Sequence, residues 1–315
     1  MTLTFAASAR SGAPPGPSAR HRRSRPGLRR TLTGWAFAGP ATLVVVGLSL
    51  FPAVWAFFIS RTKWNGIAEP QDIGWSNYER LAQDPDLAAA AQHTLVLTAL
   101  FVPGSIVLGL LLAIALNQRI RLIGFYRTCI FVPYVASAAA TGILAGYVFN
   151  PQFGAANEAL RRVGLPAQQF LENPRQALVV VVVVALWGEV GFTSVVYLAA
   201  LQDVPKELIE AATVDGAGRW RVLRSVTLPQ LRPVTLFATV WQTITALQLF
   251  DLIYTTTRGG PMNSTQTVVY YVYELAFQTR RLGYGAAVAY LLFAVTLLLT
   301  ALAIWRGRRS GEEAF

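Results

Sequence analysis

The chain has 315 residues and a formal net charge of +11, with 54% hydrophobic but only 14% charged residues. Ordinary soluble domains carry about 25% charged residues, so this balance excludes a disordered chain and argues against a single soluble enzyme domain. The lone Cys129, the two distant histidines His21 and His93, and the two lysines Lys63 and Lys206 leave no disulfide framework, no His-based zinc motif and no phosphate-binding Gly-Lys loop.

Read in chain order, residues 1–34 hold seven arginines, several Pro, Gly and Ser, and no acid, which predicts a basic disordered tail. The apolar stretch Trp35 to Ile59 follows. It is longer than the 7–15 residues of a signal-peptide core and lacks a clear cleavage site, so it reads as an uncleaved helix, with an external loop completing a region 35–92. Five further stretches are long enough to span a bilayer, which takes about 20 apolar residues. They are Thr94 to Leu116, Thr128 to Phe149, Ala177 to Leu201, Val234 to Tyr254 and Ala286 to Trp305, making a core over 93–305, and a short tail covers 306–315. The six consecutive valines after Leu178 would suit a buried strand, but the apolar run continues for about 24 residues, and length decides for a helix. The predicted fold class is all-α, a polytopic membrane protein with six transmembrane helices.

The charges orient it. Cytoplasmic segments collect Lys and Arg. With both termini inside, the inner segments hold seven cations in the tail, then Arg119, Arg121 and Arg127, then Lys206, Arg219, Arg221, Arg224 and Arg232, and finally Arg306, Arg308 and Arg309. The outer segments hold nine: Arg61, Lys63, Arg80, Arg161, Arg162, Arg175, Arg258, Arg280 and Arg281. This two-to-one bias explains the basic excess by topology. A nucleic-acid partner is not needed, and the tail is free to touch anionic membrane lipid.

The connection over 203–232 is no simple linker. Asp203 is predicted to cap a helix that accepts Pro205 in its first turn and favours Glu207 there. Leu208, Ala211 and Ala212 then share a face, with Glu207 and Glu210 offset. Asp215-Gly216 signals a turn. Trp220, Leu223 and Val226 line one side of a second short helix, which Pro229 is predicted to end.

At these residues the sequence resembles a family. Glu210-Ala-Ala, then Gly216, then nine residues to Val226-x-Leu228-Pro229 is similar to the EAA motif of the permease subunits of bacterial binding-protein-dependent ABC importers, which most often carry Ile where Val226 stands. Phe125 to Tyr134, Phe149 to Gly154, Phe250 to Pro261, Tyr273 to Phe277 and Gly283 to Gly285 resemble the maltose-type carbohydrate branch. The resemblance implies a type I ABC importer permease fold in a bacterial inner membrane. It also implies a second permease subunit in a heterodimer, an extracytoplasmic solute-binding protein, and a cytoplasmic ATPase dimer. That ATPase binds the ATP and Mg, so this chain would carry no cofactor, no metal and no catalytic residue. Glu207, Glu210, Ala211, Ala212, Asp215, Gly216, Leu228 and Pro229 would carry the coupling to the ATPase.

Charged groups at membrane depth are costly and usually face a cavity or a partner. The spans hold two, Glu189 and Asp251. Sugars are recognised by hydrogen-bonding side chains and aromatic faces together, which Trp187, Glu189, Tyr197, Gln242, Gln248, Asp251 and Tyr254 offer as a substrate pathway. The competing reading makes Glu189 an interhelical hydrogen-bonding group and Asp251 a helix-end cap or a partner of Arg258. Cys129 reads as a small packing residue. No span contains Lys or Arg, which favours a neutral sugar or polyol over an organophosphate such as glycerol phosphate. A self-sufficient secondary transporter would need coupling-ion sites, for which only Glu189 and Asp251 are charged candidates.

Overall fold

The computed structural model describes residues 28–118 and 121–309, with side chains between 36 and 307. Most of the predicted basic tail, Arg119, the arginines 308 and 309 as side chains, and residues 310–315 therefore lie outside what is described. The chain divides at Val54 into two units, residues 1–54 and 55–315.

The first unit carries α1 (Leu28–Val45) and a π-turn, Val46–Leu50. Helix begins within the stretch predicted as tail, where Leu28, Arg29 and Arg30 are good helix formers. No residue of the π-turn is buried. The predicted first span is recovered as Ala36–Ser60, ending in α2 (Phe51–Ser60).

The second unit opens with a two-residue hairpin, β1 (Thr62–Lys63) antiparallel to β2 (Gln71–Asp72), and a short helix α3 (Ser76–Leu81). Then comes α4 (Pro85–Leu116), which starts nine residues before the predicted Thr94. The Asp84 carboxylate accepts the amides of Asp86 and Leu87 at 3.0 and 3.2 Å, and Pro85 sits where its missing N–H is harmless. This cap lets the helix begin among polar residues that a hydropathy reading leaves in the loop.

The predicted third span is not one helix. It is α5 (Ile123–Val135) and α6 (Ala138–Val148), bent by 98°. Pro133 removes a ladder hydrogen bond near the end of α5, and Ala136 and Ser137 adopt extended dihedrals. Among the described residues there are accordingly five helices long and apolar enough to cross a membrane, or six if the bent pair counts as one. After α7 (Ala155–Arg162) comes α8 (Ala177–Asp203), close to the predicted fourth span.

The 203–232 connection holds α9 (Lys206–Val214), α10 (Arg219–Val222), a π-turn at Leu223–Thr227 and α11 (Leu228–Gln230). Asp203 does not cap α9. It is the last residue of α8, and Pro205 holds the cap position without a side-chain bond. Nor does Pro229 end the second helix. It lies in the first turn after the π-turn, where its lost N–H is tolerated, and the chain turns only at Leu231.

The predicted fifth span is recovered as Arg232–Thr256, made of α12 (Arg232–Leu247) and α13 (Asp251–Thr256) with a short interruption at Gln248 to Phe250. The chain closes with α14 (Val268–Tyr273), a π-turn at Glu274–Gln278 and α15 (Leu282–Arg309).

Helices surrounded by lipid gain little from excluding water, so close packing of small residues must hold them. Gly109 of α4 lies so near α8 that a Cβ would sit 2.5 Å from Thr193 Cγ2. Gly191 of α8 abuts the Ile130 carbonyl of α5, and Gly142 of α6 abuts Thr255 of α13. Leu97, Phe101, Val181 and Ile253 fill the core between these contacts, and Ala113, Tyr197, Leu201 and Leu231 extend it towards the 203–232 loop. Cys129 is exposed, not packed, because it lies on an outward face of α5 with Phe125, Tyr126 and Val132.

Candidate functional site

At the loop end of the helices, α9 turns Ile209 and Ala212 inward and leaves Glu207, Leu208, Glu210, Ala211 and Asp215 exposed. Ala212 and Ala211 therefore fall on different faces, and the expected shared stripe of Leu208, Ala211 and Ala212 is split between them. Val214, 86% exposed, and Trp220, 74% exposed, add large apolar groups to the outward surface. Gly216 has φ +79°, a left-handed conformation that ends α9 and that other residues rarely adopt. The Ala217 amide bonds back to the Ala212 carbonyl at 2.9 Å, closing the turn. Between α9 and α10 lies a cleft of about 640 Å³ lined by Ile209, Thr213, Trp220, Leu223 and Ile114 of α4. Leu228 and Pro229 are half-buried and join this device to α12.

At the middle of the helices, α4, α8 and α12 share a buried polar network. Gln242 Nε2 donates to Thr193 Oγ1 at 2.6 Å, and Thr193 and Ser105 hydroxyls lie 2.9 Å apart. All three side chains are fully or almost fully buried. Tyr197, also fully buried, donates to Thr235 Oγ1 at 3.0 Å. Gln242 and Tyr197 are thus engaged between helices of this chain and present no surface to a solute. Their polar atoms suggested a pathway; here the Tyr197 hydroxyl and Gln242 Nε2 bond between helices, while Gln242 Oε1 is buried without a partner.

Glu189, one turn before Thr193, is half-buried beside Gln242, and its Oε2 has no partner. It shares its side of α8 with Phe192. Phe192 stacks on Tyr134 of α5 at 5.1 Å between ring centroids and meets Trp241 of α12 at 5.4 Å. Phe131 and Phe237 extend this row at either end. Three helices thereby set a continuous aromatic strip beside one carboxyl group. Tyr134, Phe192 and Phe237 were not singled out from the sequence. The available signal was helical spacing, Phe192 three residues after Glu189 and Phe237 four before Trp241, but nothing in one sequence says which helices face each other.

The other candidates scatter. Trp187 is 46% exposed and lines an apolar recess with Leu144, Val148 and Val183. Gln248 and Asp251 are exposed at the break between α12 and α13. Tyr254 stacks on Phe250 at 5.4 Å and meets Tyr273 edge-on at 5.3 Å, in a second aromatic group.

At the opposite end, the Asn150 carboxamide accepts the amides of Gln152 and Phe153, forming a tight turn against which Gly154 packs with no room for a side chain. This segment and the loop after Thr256 meet at one cleft of about 400 Å³ lined by Asn150, Pro151, Glu172, Thr257, Gly260 and Pro261. His93, to which the sequence assigned no chemistry, bonds the Gln266 carbonyl at 3.1 Å and ties α4 to the segment before α14. Among the described residues, no group of three His, Cys, Asp or Glu side chains gathers in metal-binding geometry.

Comparison with known proteins places this architecture. Residues 105–309 match the model of the family described as the binding-protein-dependent transport system inner membrane component. The chain is 34% identical over 293 residues to the lactose transport system permease protein LacF of Rhizobium radiobacter, covering 90% of this chain and 98% of that one. It is 32% identical over 269 residues to the sn-glycerol-3-phosphate transport system permease protein UgpA of Agrobacterium fabrum, covering 85% and 92%. Its fold superposes on a chain of the bacterial alginate ABC transporter, crystallised with an alginate pentasaccharide-bound periplasmic protein. The TM-score is 0.81 at 24% identity, over 91% of this chain and 97% of that one. The helix-rich architecture, the apolar spans and these likenesses agree: this chain belongs to the inner-membrane permease family of binding-protein-dependent ABC transport systems.

Proposed function

We propose that this chain is one transmembrane half of an ATP-driven importer for a sugar or related polyol, coupled to a cytoplasmic ATPase dimer through the 203–232 loop. The observation that carries the reading is the outward face of α9. Glu207, Leu208, Glu210, Ala211 and Val214 are exposed at the end of the bundle, and the left-handed Gly216 fixes the turn behind them. A short amphipathic helix with large apolar groups left uncovered fits a groove on a partner. ATP and Mg belong to that partner, and this chain catalyses nothing. The buried Thr227 and the half-buried Leu228 and Pro229 pass movement of α9 into α12, which carries Trp241 and Gln242. The charge bias supports both termini being cytoplasmic.

In this reading the solute meets the aromatic strip of Tyr134, Phe192 and Trp241 beside Glu189, with Gln248, Asp251, Tyr254 and Trp187 further along the path. Tyr197 and Gln242 act by holding α8 against α12. A second permease subunit completes the path, and the extracytoplasmic solute-binding protein docks over the cleft between Asn150 and Pro261. A neutral solute is favoured because the apolar stretches read from the sequence carry no cation, and the arginines that the helices add, Arg127, Arg232 and Arg306, lie at or near span ends, where an organophosphate in mid-path would not meet them. The glycerol-phosphate relative keeps that solute class as the second reading.

The test replaces Glu210 with Ala and, separately, Gly216 with Val, and measures ATPase co-purification and solute uptake at matched membrane levels. The expected result is loss of co-purified ATPase and of uptake in both. Unchanged ATPase retention with unchanged uptake refutes the coupling role, and uptake without any ATPase points to a secondary transporter.

A further inference from the structure

Away from the loop and the aromatic strip, a concavity carrying several cations lies where the hairpin, α3 and the start of α15 meet. It measures about 600 Å³ and includes Lys63, Arg80, Arg280 and Arg281 against a single acid, Glu69. Four of the nine cations that the charge count assigns to the outer side thus gather in one pocket. Both described ion pairs belong to Glu158, so among the described residues none of these four cations is within salt-bridge distance of an acid. Like charges gathered in a concave site repel one another unless an anion joins them.

The pocket is built. Asn77, buried, donates to the Ser60 and Thr62 carbonyls at 2.8 and 3.0 Å and fixes the hairpin to α3. Gly283 packs so closely on the Thr62 carbonyl that no side chain fits, and its amide bonds the Trp64 carbonyl at 3.3 Å. Tyr284 donates its hydroxyl to the Asp84 carboxylate and turns its ring to Arg80, whose guanidinium carbon lies 4.6 Å from the ring centroid. Asp84 also accepts the Tyr271 hydroxyl and two amides, so its charge is already engaged below the pocket. Arg80 is held by its face, leaving its N–H fork for a ligand.

Position and size identify the ligand. The pocket lies at the ends of two apolar helices, just after Ser60 and at Leu282, near headgroup level for a bilayer crossed by those helices. Two tryptophans stand at the same level, Trp64 in the lining and Trp75 exposed beside it, as is usual at a membrane interface. Arginine forks suit phosphate oxygens. The cavity is several times larger than a bare phosphate, and Asn65, Gln71 and Ser76 offer hydrogen bonds to hydroxyl groups. We propose that this pocket binds the phosphate of an anionic glycerophospholipid headgroup.

The test uses the full chain with its co-purifying subunits in nanodiscs, with phosphatidylglycerol titrated into phosphatidylcholine and bound lipid read by native mass spectrometry. Replacing Arg80 and Arg281 together by Gln is expected to weaken phosphatidylglycerol binding at least ~10-fold, at roughly fivefold per cation. Replacing Arg161 and Arg162 by Gln removes the same charge elsewhere and is expected to leave binding unchanged. Should the first variant not be recovered folded, Lys63→Gln and Arg280→Gln are read singly, each expected to weaken binding about fivefold. Binding unchanged within twofold in the pocket variants, or equally weakened in the control, overturns the proposal. So does saturable stabilisation in pure phosphatidylcholine by soluble glycerol phosphate or inorganic phosphate, which would make the occupant a free phosphate compound.

Discussion

Two glycines three residues apart on α8 offer a controlled test of the packing that positions the aromatic strip. At Gly191, an added Cβ would press on the Ile130 carbonyl oxygen, with the carbonyl carbon at 3.2 Å and Phe131 Cα at 3.1 Å, against 3.4–4 Å for ordinary contact. The obstacle is backbone, so α5 must withdraw by several tenths of an ångström. At Gly188 an added Cβ meets nothing within 4 Å. Replacing either glycine by Ala gains about 1 kcal/mol of helix propensity. The difference between the two variants therefore isolates the steric cost, which for overpacking is about 1–3 kcal/mol. Gly191→Ala is expected to unfold at a lower temperature than Gly188→Ala in the same detergent. It should also lose uptake, because Tyr134 rides on α5 and meets Phe192 across this contact. Equal thermal midpoints and equal uptake for the two variants would refute the claim that α5 and α8 touch at this point.

Thr193→Val keeps the shape but leaves Gln242 Nε2 and the Ser105 hydroxyl without their bond to residue 193. A loss of about 1–2 kcal/mol is expected. In a double-mutant cycle, Gln242→Leu should add less after Thr193→Val than alone, and strict additivity would show that the network does not act as one unit. Asp84→Ala removes the cap of α4 together with the acceptor for two tyrosines, for a loss of about 1–2 kcal/mol, whereas Asp84→Asn keeps the cap and should cost less. Burial raises the Asp84 pKa, but the hydrogen bonds from Tyr284, Tyr271 and the two amides outweigh it and hold the carboxyl below its usual 3.8. Its contribution is thus complete above pH 3.8 and lost as pH falls through the lower folded value. Acid unfolding curves of the wild type and Asp84→Asn should converge there, and a constant gap down to pH 2 would contradict it. Gly142→Ala would press its new methyl on the Thr255 hydroxyl. Because the Thr255 Cβ would also lie 2.8 Å away, Thr255→Gly in the same chain should recover more thermal stability than Thr255→Ala, and equal failure of both would place the strain elsewhere.

Much was legible because membrane helices announce themselves by length and composition alone. Five of the six predicted stretches return as long apolar helices, since about 20 apolar residues in a row have no better conformation in a bilayer than a helix. The turn at Gly216 was also legible, because Asp-Gly favours a left-handed residue wherever it occurs. Local chemistry with two competing outcomes was not legible. Pro133 and Pro229 both lack an N–H, yet the chain bends by 98° just after the first and continues past the second through a π-turn. Asp203 and Asp84 are both good caps by type, and only Asp84 acts as one.

The same divide runs through the candidate site. Glu189, Gln242, Tyr197 and Gln248 are alike in the sequence, as polar groups at membrane depth. Burial separates them, joining Gln242 and Tyr197 to neighbouring helices and leaving Gln248 exposed. Hydrophobic length and turn propensity are properties of a short stretch of chain, so the sequence by itself determined the spans, their chemical class and the tight turn of the loop. Which faces of α4, α5, α8 and α12 meet depends on Gly109, Gly191 and Thr193 allowing close approach between helices far apart in sequence. The polar network and the aromatic strip exist only after that packing, and the cationic pocket only after Asn77 and Gly283 bring the hairpin, α3 and α15 together, so the tertiary structure alone decided them.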